Sequence, residues 1–246
     1  MVFFTLSSKT MNIALIIAGG SGARMGQDSP KQFLNVFDKP VIIYTLEAFQ
    51  RHPLIDAIDV VCIDGWHEVL RAYCRQFGIA KLGNIIQGGV NGQESIRNGV
   101  FDLRNRYSDN DIVLVHDAIR PMVSETIITD CINVCKQHGN ATTVIPCAEA
   151  MLMTDDGTMS EQQIARTSLK RTQTPQAFYL GELADAHTEA LNRGITNSIA
   201  SCTLYVELGR KVYFSAGEEK NVKLTTPEDI EIFKALLTNK NSDWIK

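Results

Sequence analysis

A chain of 246 residues with 44% hydrophobic and 21% charged side chains can bury a sizeable core, as one large domain or at most two small ones. Its 28 acidic and 24 basic residues leave a net charge of −4, which excludes a broad electrostatic hold on nucleic acid or on an anionic membrane. No apolar run approaches the roughly 20 residues that span a bilayer, so any anion must be met by a local site.

Residues 1–10, "MVFFTLSSKT", have too short an apolar part for a signal peptide and lack a charged leader; they read as a disordered extension ahead of Met11. "NIALIIA" (12–18) is a short buried strand that ends at glycine. "PVIIYTLEAFQRH" (40–52) has helical spacing with Pro40 near its first turn. "IDAIDVVCID" (55–64) is a strand, and "HEVLRAYCRQFG" (67–78) a helix closed by Gly78. "NIIQGG" is a brief strand, "ESIRNGVFDLRNRY" a helix and "DIVLVHDA" a strand. "SETIITDCINVCKQHG" is a helix opened by Ser124 and closed by Gly139, followed by the strand "ATTVIPC". This alternation predicts an α/β fold of the doubly wound, Rossmann-like type, with a mostly parallel sheet and helices on both faces.

The stretch 148–172 breaks the rhythm: it is polar and turn-rich, with two short strand-like pieces, and reads as an excursion from the domain. "GELADAHTEALNRG" restores a helix, "KVYFSA" and "NVKLT" read as strands, and "TPEDIEIFKALLTN" is a final capped helix. The six cysteines contain no C-x-x-C pair and several lie in apolar periodic segments, so buried reduced thiols in a cytoplasmic enzyme are expected.

The chemistry concentrates in "LIIAGGSGARMGQDSPKQFL" (15–34), where Gly19, Gly20, Gly22 and Gly26 surround Arg24, and Lys31 stands behind Pro30. In a doubly wound sheet, ligands bind beyond the C-terminal strand ends. Glycines there let backbone N–H groups approach a phosphate, and Arg24 and Lys31 can neutralise a triphosphate. A P-loop is excluded because the run ends "RMGQDS" where G-K-[ST] would be needed. A short-chain dehydrogenase is excluded because no tyrosine has a lysine four residues later.

With "GGVNGQESIRNGV", "VLVHDAIRP" and "NVKLTTPEDI", the opening stretch resembles the cytidylyltransferases that act on methylerythritol 4-phosphate and their close relatives that act on ribitol 5-phosphate. The resemblance runs from Asn12 to about Leu237. It implies transfer of CMP from CTP to a polyol phosphate with release of pyrophosphate, methylerythritol 4-phosphate being the leading acceptor and ribitol 5-phosphate the alternative. A non-catalytic nucleotide-binding homologue is the third reading. It also implies a single domain over 11–240, a protruding β-arm for dimerisation at about 147–172, a homodimer, and Mg²⁺ as cofactor.

By the same resemblance, Arg24, Lys31 and Lys223 are catalytic. Ala18, Gly19, Gly20, Gly22 and Gly89 bind the nucleotide, with Ser95 where the family reads the cytosine ring. Asp117, Arg120, Arg166 and Thr174 bind the acceptor, with Arg166 reaching the partner subunit's site and Asp117 also near the metal. His116 reads as structural. The match fails at Gly92, where the family has an arginine, at Glu149 and Ala150 of "PCAEAM", at "IASC" (199–202), and at Lys220. These departures touch the acceptor pocket and part of the metal site.

Overall fold

The computed structural model describes residues 9–20 and 29–238. Strand β1 (Asn12–Ala18) is followed by the two-residue strands β2 (Asn35–Val36) and β3 (Lys39–Pro40) and by helix α1 (Val41–Arg51). Strand and helix then alternate through β4 (Ala57–Cys62), α2 (His67–Gln76), β5 (Leu82–Gln87), α3 (Gly92–Arg104), β6 (Ile112–Asp117), α4 (Glu125–His138) and β7 (Asn140–Pro146). Next come β8 (Met151–Met153), β9 (Gln162–Ile164) and the long β10 (Lys170–Tyr179). Helices α5 (Leu180–Asn192) and α6 (Ser201–Glu207), strand β11 (Phe214–Ala216) and helix α7 (Pro227–Thr238) complete the order.

The main sheet runs β11-β7-β10-β6-β1-β4-β5, with β10 antiparallel to both neighbours and every other pairing parallel. The period of two along each strand divides the core. Ala14, Ile16, Ile58, Val60 and Leu114 face α1 and α4, where Leu46, Phe49 and Ile128 meet them. Ile13, Leu15, Val61, Val113 and Val115 face α3 and α5, against Val100, Leu103 and Leu183. A smaller apolar group, Val36, Val41, Ile119, Leu224 and Phe233, seats α7 beside the site. The start of α7 follows from "TPED": Asp229 accepts from the Thr226 N–H at 2.8 Å, and Thr226 Oγ1 accepts from the Asp229 N–H at 3.3 Å. That is a reciprocal cap with proline at the first helical position.

Three expectations are corrected and one helix is added. "NVKLT" is not a strand: its buried Asn221 and Leu224 are held by side-chain contacts and by two backbone bonds, from the Asn221 N–H to the Glu218 carbonyl at 3.0 Å and from the Leu224 N–H to the Ile119 carbonyl at 2.9 Å. The excursion does not run to 172, because β10 enters the main sheet at Lys170. Its register shifts between Thr172 and Gln176, where Pro175 cannot donate to a ladder. Residues 201–207 form α6, too short to leave a readable helical period. The "KVYFSA" strand is confined to Phe214–Ala216.

The expected protruding arm is the β8–β9 hairpin, which pairs Met151 with Ile164 outside the main sheet. Its large apolar side chains are unburied in this chain: Met151 is 41%, Leu152 65%, Met153 49% and Met159 61% exposed. All six cysteines are buried and unpaired. No described helix is long and apolar enough to cross a membrane. The expected extension falls, for residues 1–8, outside the described residues.

Candidate active site

β1 ends at Ala18, and the chain leaves the sheet through Gly19 and Gly20. Gln32, 2% exposed, donates from Nε2 to the carbonyls of Ala18 at 2.8 Å and Gly20 at 3.0 Å. Lys31 begins a 3-10 turn, Lys31–Phe33, directly behind Pro30. Phe33 in that turn stacks on Trp66 at 4.5 Å between ring centroids. The neighbours of Lys31 are therefore tied on one side to the glycine stretch and on the other to the core. Gly22, Arg24 and Gly26 lie outside the described residues.

The N-terminus of α3 closes against this stretch. A Cβ on Gly19 would lie 2.9 Å from Ser95 Oγ, and one on Gly89 only 2.3 Å from Glu94 Cγ, so only glycine fits at either position. Asn91 caps α3 through the Glu94 N–H at 2.9 Å. Ser95 donates its hydroxyl proton to the Asn91 carbonyl at 2.9 Å and accepts from the Gly89 N–H at 3.0 Å. Ser95 thus lies beside Gly19 and Gly89. Its proton is used in the turn, which leaves one lone pair.

The second half of the site grows from the end of β6. Asp117 Oδ1 accepts from Lys223 Nζ at 3.1 Å, and Oδ2 from Arg120 Nε at 3.1 Å. Burial alone would raise the pKa of this carboxyl. The opposing charges of Lys223, Arg120 and His116, with the Lys223 hydrogen bond, outweigh it and hold the pKa below the usual value. Arg120 also donates to the Asn221 carbonyl at 2.8 Å. Asn221 donates to the Thr174 carbonyl at 2.9 Å and to Gln173 Oε1 at 3.2 Å, which stitches three segments together.

β10 brings Thr174 to the same point. The Asp117 N–H donates to Thr174 Oγ1 at 3.1 Å, and Thr174 Oγ1 lies 3.1 Å from His116 Nδ1. His116 is fully buried, and its other ring nitrogen, Nε2, is 3.2 Å from the Arg120 carbonyl. Burial drives the pKa of His116 down to about 4, so the ring is neutral at pH 7. A cleft of ≈ 230 Å³ opens here, lined by Asp117, Arg120, Thr174 and Lys223 together with Ile199 and Ser201. The arrangement can hold an anion against two cations while one ionised carboxylate and several neutral dipoles face the same space.

A family model for 2-C-methyl-D-erythritol 4-phosphate cytidylyltransferase matches residues 12–239. The chain belongs to that cytidylyltransferase family. Its curated relatives include a ribitol-5-phosphate cytidylyltransferase of Lacticaseibacillus paracasei, 44% identical over 94% of this chain and 99% of that one. A 2-C-methyl-D-erythritol 4-phosphate cytidylyltransferase of Clostridium acetobutylicum is 34% identical over 94% of this chain and 99% of its own length. The crystal structure of a 4-diphosphocytidyl-2C-methyl-D-erythritol synthase matches with a TM-score of 0.78 at 28% identity, covering 94% of this chain and all of that one. By class the chain is a nucleotidyltransferase.

Among the residues expected for a cytidylyltransferase, the structure brings Asp117, Arg120, Thr174 and Lys223 together, and separately gathers Ala18, Gly19, Gly20, Gly89 and Ser95. It does not bring Arg166 to Asp117 within this chain. Arg166 opens a short turn at the root of the arm, is exposed, and donates to the Ala148 carbonyl at 3.2 Å. Gly92 is the exposed first residue of α3 with open space around it, Ala150 and Lys220 are exposed, and Glu149 lies 3.7 Å from Arg171. Sequence reasoning missed Gln32, Asn221 and Gln173. Each is a buried amide within a few residues of a motif, and burial does not show in a single sequence.

Proposed function

We propose that the chain transfers CMP from CTP to ribitol 5-phosphate and releases pyrophosphate. The observation that carries this reading is the meeting of Asp117, Arg120, Lys223 and Thr174 beside the glycine turns at the C-terminal strand ends. An oxygen of the acceptor phosphate attacks the α-phosphorus of CTP. The new P–O bond forms as the bond to the pyrophosphate oxygen breaks, and pyrophosphate leaves. No general base is needed, because a phosphate monoester is already anionic at neutral pH. Charge grows on the equatorial oxygens of the α-phosphoryl group, so fixed cations supply the main stabilisation. Lys223 has its ammonium at the acceptor side, and Lys31 and Arg24 are assigned to the triphosphate.

The choice of acceptor rests on relatives: the Lacticaseibacillus paracasei protein named for ribitol 5-phosphate is 44% identical, against 34% for the Clostridium acetobutylicum protein named for methylerythritol 4-phosphate. The ionised, partly exposed carboxylate of Asp117 suits Mg²⁺, which favours one or two carboxylates completed by substrate phosphates. Among the described residues no group of three acidic, His or Cys side chains offers a fuller cage. When bound, the ion would neutralise charge on the triphosphate. The exposed methionines and leucine of the hairpin support a homodimer in which Arg166 serves the partner's site. Six buried unpaired thiols support a cytoplasmic setting.

Pyrophosphate release from CTP and Mg²⁺, measured with ribitol 5-phosphate and methylerythritol 4-phosphate, tests the reading. We expect the higher kcat/KM with ribitol 5-phosphate. An equal or better value with methylerythritol 4-phosphate would reverse the acceptor choice, and no release with either would leave a nucleotide-binding protein without this activity.

A further inference from the structure

We propose that His116 is a positioning residue that fixes the Thr174 hydroxyl and the Arg120 turn at the acceptor end of the site. The inference rests on the cytidylyltransferase reading and adds a residue to it. The Arg120 carbonyl, 3.2 Å from Nε2, can only accept, so Nε2 must carry the ring proton. His116 is wholly enclosed and has only this carbonyl and the Thr174 hydroxyl at its two ring nitrogens, with no carboxylate on either to hold a second proton, so Nδ1 has a lone pair and no proton. Thr174 Oγ1, 3.1 Å from Nδ1, must therefore donate to it. The same oxygen accepts from the Asp117 N–H at 3.1 Å, so two of its possible bonds are used and one lone pair remains.

The hydroxyl orientation of Thr174 is thus dictated by His116. The backbone carbonyl at the base of Arg120 is tied to the same ring, and Phe49 packs on that ring at 5.0 Å between centroids. A single buried imidazole sets two of the residues that meet at the cleft without lying in the path of the reaction. Pairing in the sheet does not require a histidine at this position, because the β6–β10 ladder uses backbone groups. An apolar side chain would keep the strand but leave the Thr174 hydroxyl free to turn.

Two substitutions separate the two ring nitrogens. His116→Asn places an amide oxygen near Nδ1 and can still accept from Thr174. His116→Gln reaches Nε2 and keeps only the Arg120 contact. Steady-state kinetics of the full chain use CTP, Mg²⁺ and whichever polyol phosphate the wild type consumes, so failure with ribitol 5-phosphate bears on the acceptor reading alone. We expect His116→Gln to raise the acceptor KM about tenfold, with the CTP KM changed less than about twofold. His116→Asn should stay within about threefold of wild type on the acceptor. In a Thr174→Val background, His116→Gln should add less than about twofold, because the hydroxyl it frees is gone. Equal impairment of the Asn and Gln variants, or an undiminished tenfold effect on top of Thr174→Val, would overturn the proposal. Should the Gln variant fail to fold, ¹⁵N shifts of the wild-type imidazole decide. A neutral Nε2–H tautomer whose Nδ1 shift changes in Thr174→Val supports the assignment, and the opposite tautomer or an unmoved Nδ1 overturns it.

Discussion

Replacing Gln32 with methionine removes two hydrogen-bond donors from under the glycine turn and opens almost no cavity. Gln32 Nε2 holds the carbonyls of Ala18 and Gly20 at 2.8 and 3.0 Å. Ala18 keeps a second partner, the Ile63 N–H at 3.1 Å, and Gly20 is exposed, so water can replace what it loses. Each lost bond then costs near the low end of about 0.5–1.5 kcal/mol, or about 1–2 kcal/mol together. For a chain of this size that lowers Tm by about 3–6 °C. The larger effect falls on the nucleotide. If the tie stabilises the binding-competent turn by about 1.4 kcal/mol, its loss shifts that equilibrium roughly tenfold, and the CTP KM rises by about twofold to tenfold according to how fully the turn is populated. Thermal unfolding followed by circular dichroism reads the first effect and pyrophosphate release against CTP concentration the second. A Gln32→Met protein with the lower Tm but an unchanged CTP KM would refute the idea that Gln32 shapes the nucleotide turn.

Three further outcomes are expected. Gly99→Ala places a Cβ 2.7 Å from Val61 Cγ2 and 2.9 Å from both methyl carbons of Leu15, so α3 must back away from β1 and β4. A loss of roughly 1–3 kcal/mol in urea unfolding is expected, and an unmoved midpoint would contradict it. Asp117→Asn should lower kcat by about a hundredfold, and wild-type turnover in that variant would remove Asp117 from the chemistry. His187 is buried, neither ring nitrogen has a partner among the described residues, and burial with the Arg97 charge lowers its pKa to about 4. The unfolded chain, with a histidine pKa near 6.5, takes up this proton first. Stability is therefore complete above about pH 6.5 and is lost as pH falls towards 4, by up to ~3 kcal/mol. His187→Phe should reduce the slope in that part of the stability profile, leaving the share that belongs to buried His116, and an unchanged acid slope in chemical denaturation would argue against the assignment.

Much of this architecture is legible in the sequence because parallel strands buried on both faces are continuous apolar runs. "NIALIIA" and "DIVLVHDA" need no context to be recognised. β10 was not legible for the opposite reason: "KRTQTPQAFY" carries two buried glutamines and an interior proline, and its burial comes from neighbours supplied by distant segments. The site divides along the same line. Asp117 and Lys223 stand in motifs whose residue types announce charge chemistry. The hold of His116 on Thr174 spans 58 positions and exists only once β10 lies against β6. Gln32 was hidden in plain view between Lys31 and Phe33, since a glutamine that holds two carbonyls looks no different from one in water.

The reversed direction of β10 has a consequence for how the chain can change length. The strand runs from the root of the hairpin at Lys170, through the register shift between Thr172 and Gln176 that holds Thr174, to Tyr179 against the core. Along a ladder with a two-residue repeat, inserting or deleting one residue between 170 and 173 turns every later or earlier side chain to the opposite face. Thr174 would lose its histidine, or the whole hairpin would be presented upside down. The same edit between 154 and 160 falls in the exposed turn of the hairpin and is absorbed there. The tip can therefore grow, shrink or accept a foreign peptide, whereas the root has only the register shift before Gln176 in which to take up a change of parity.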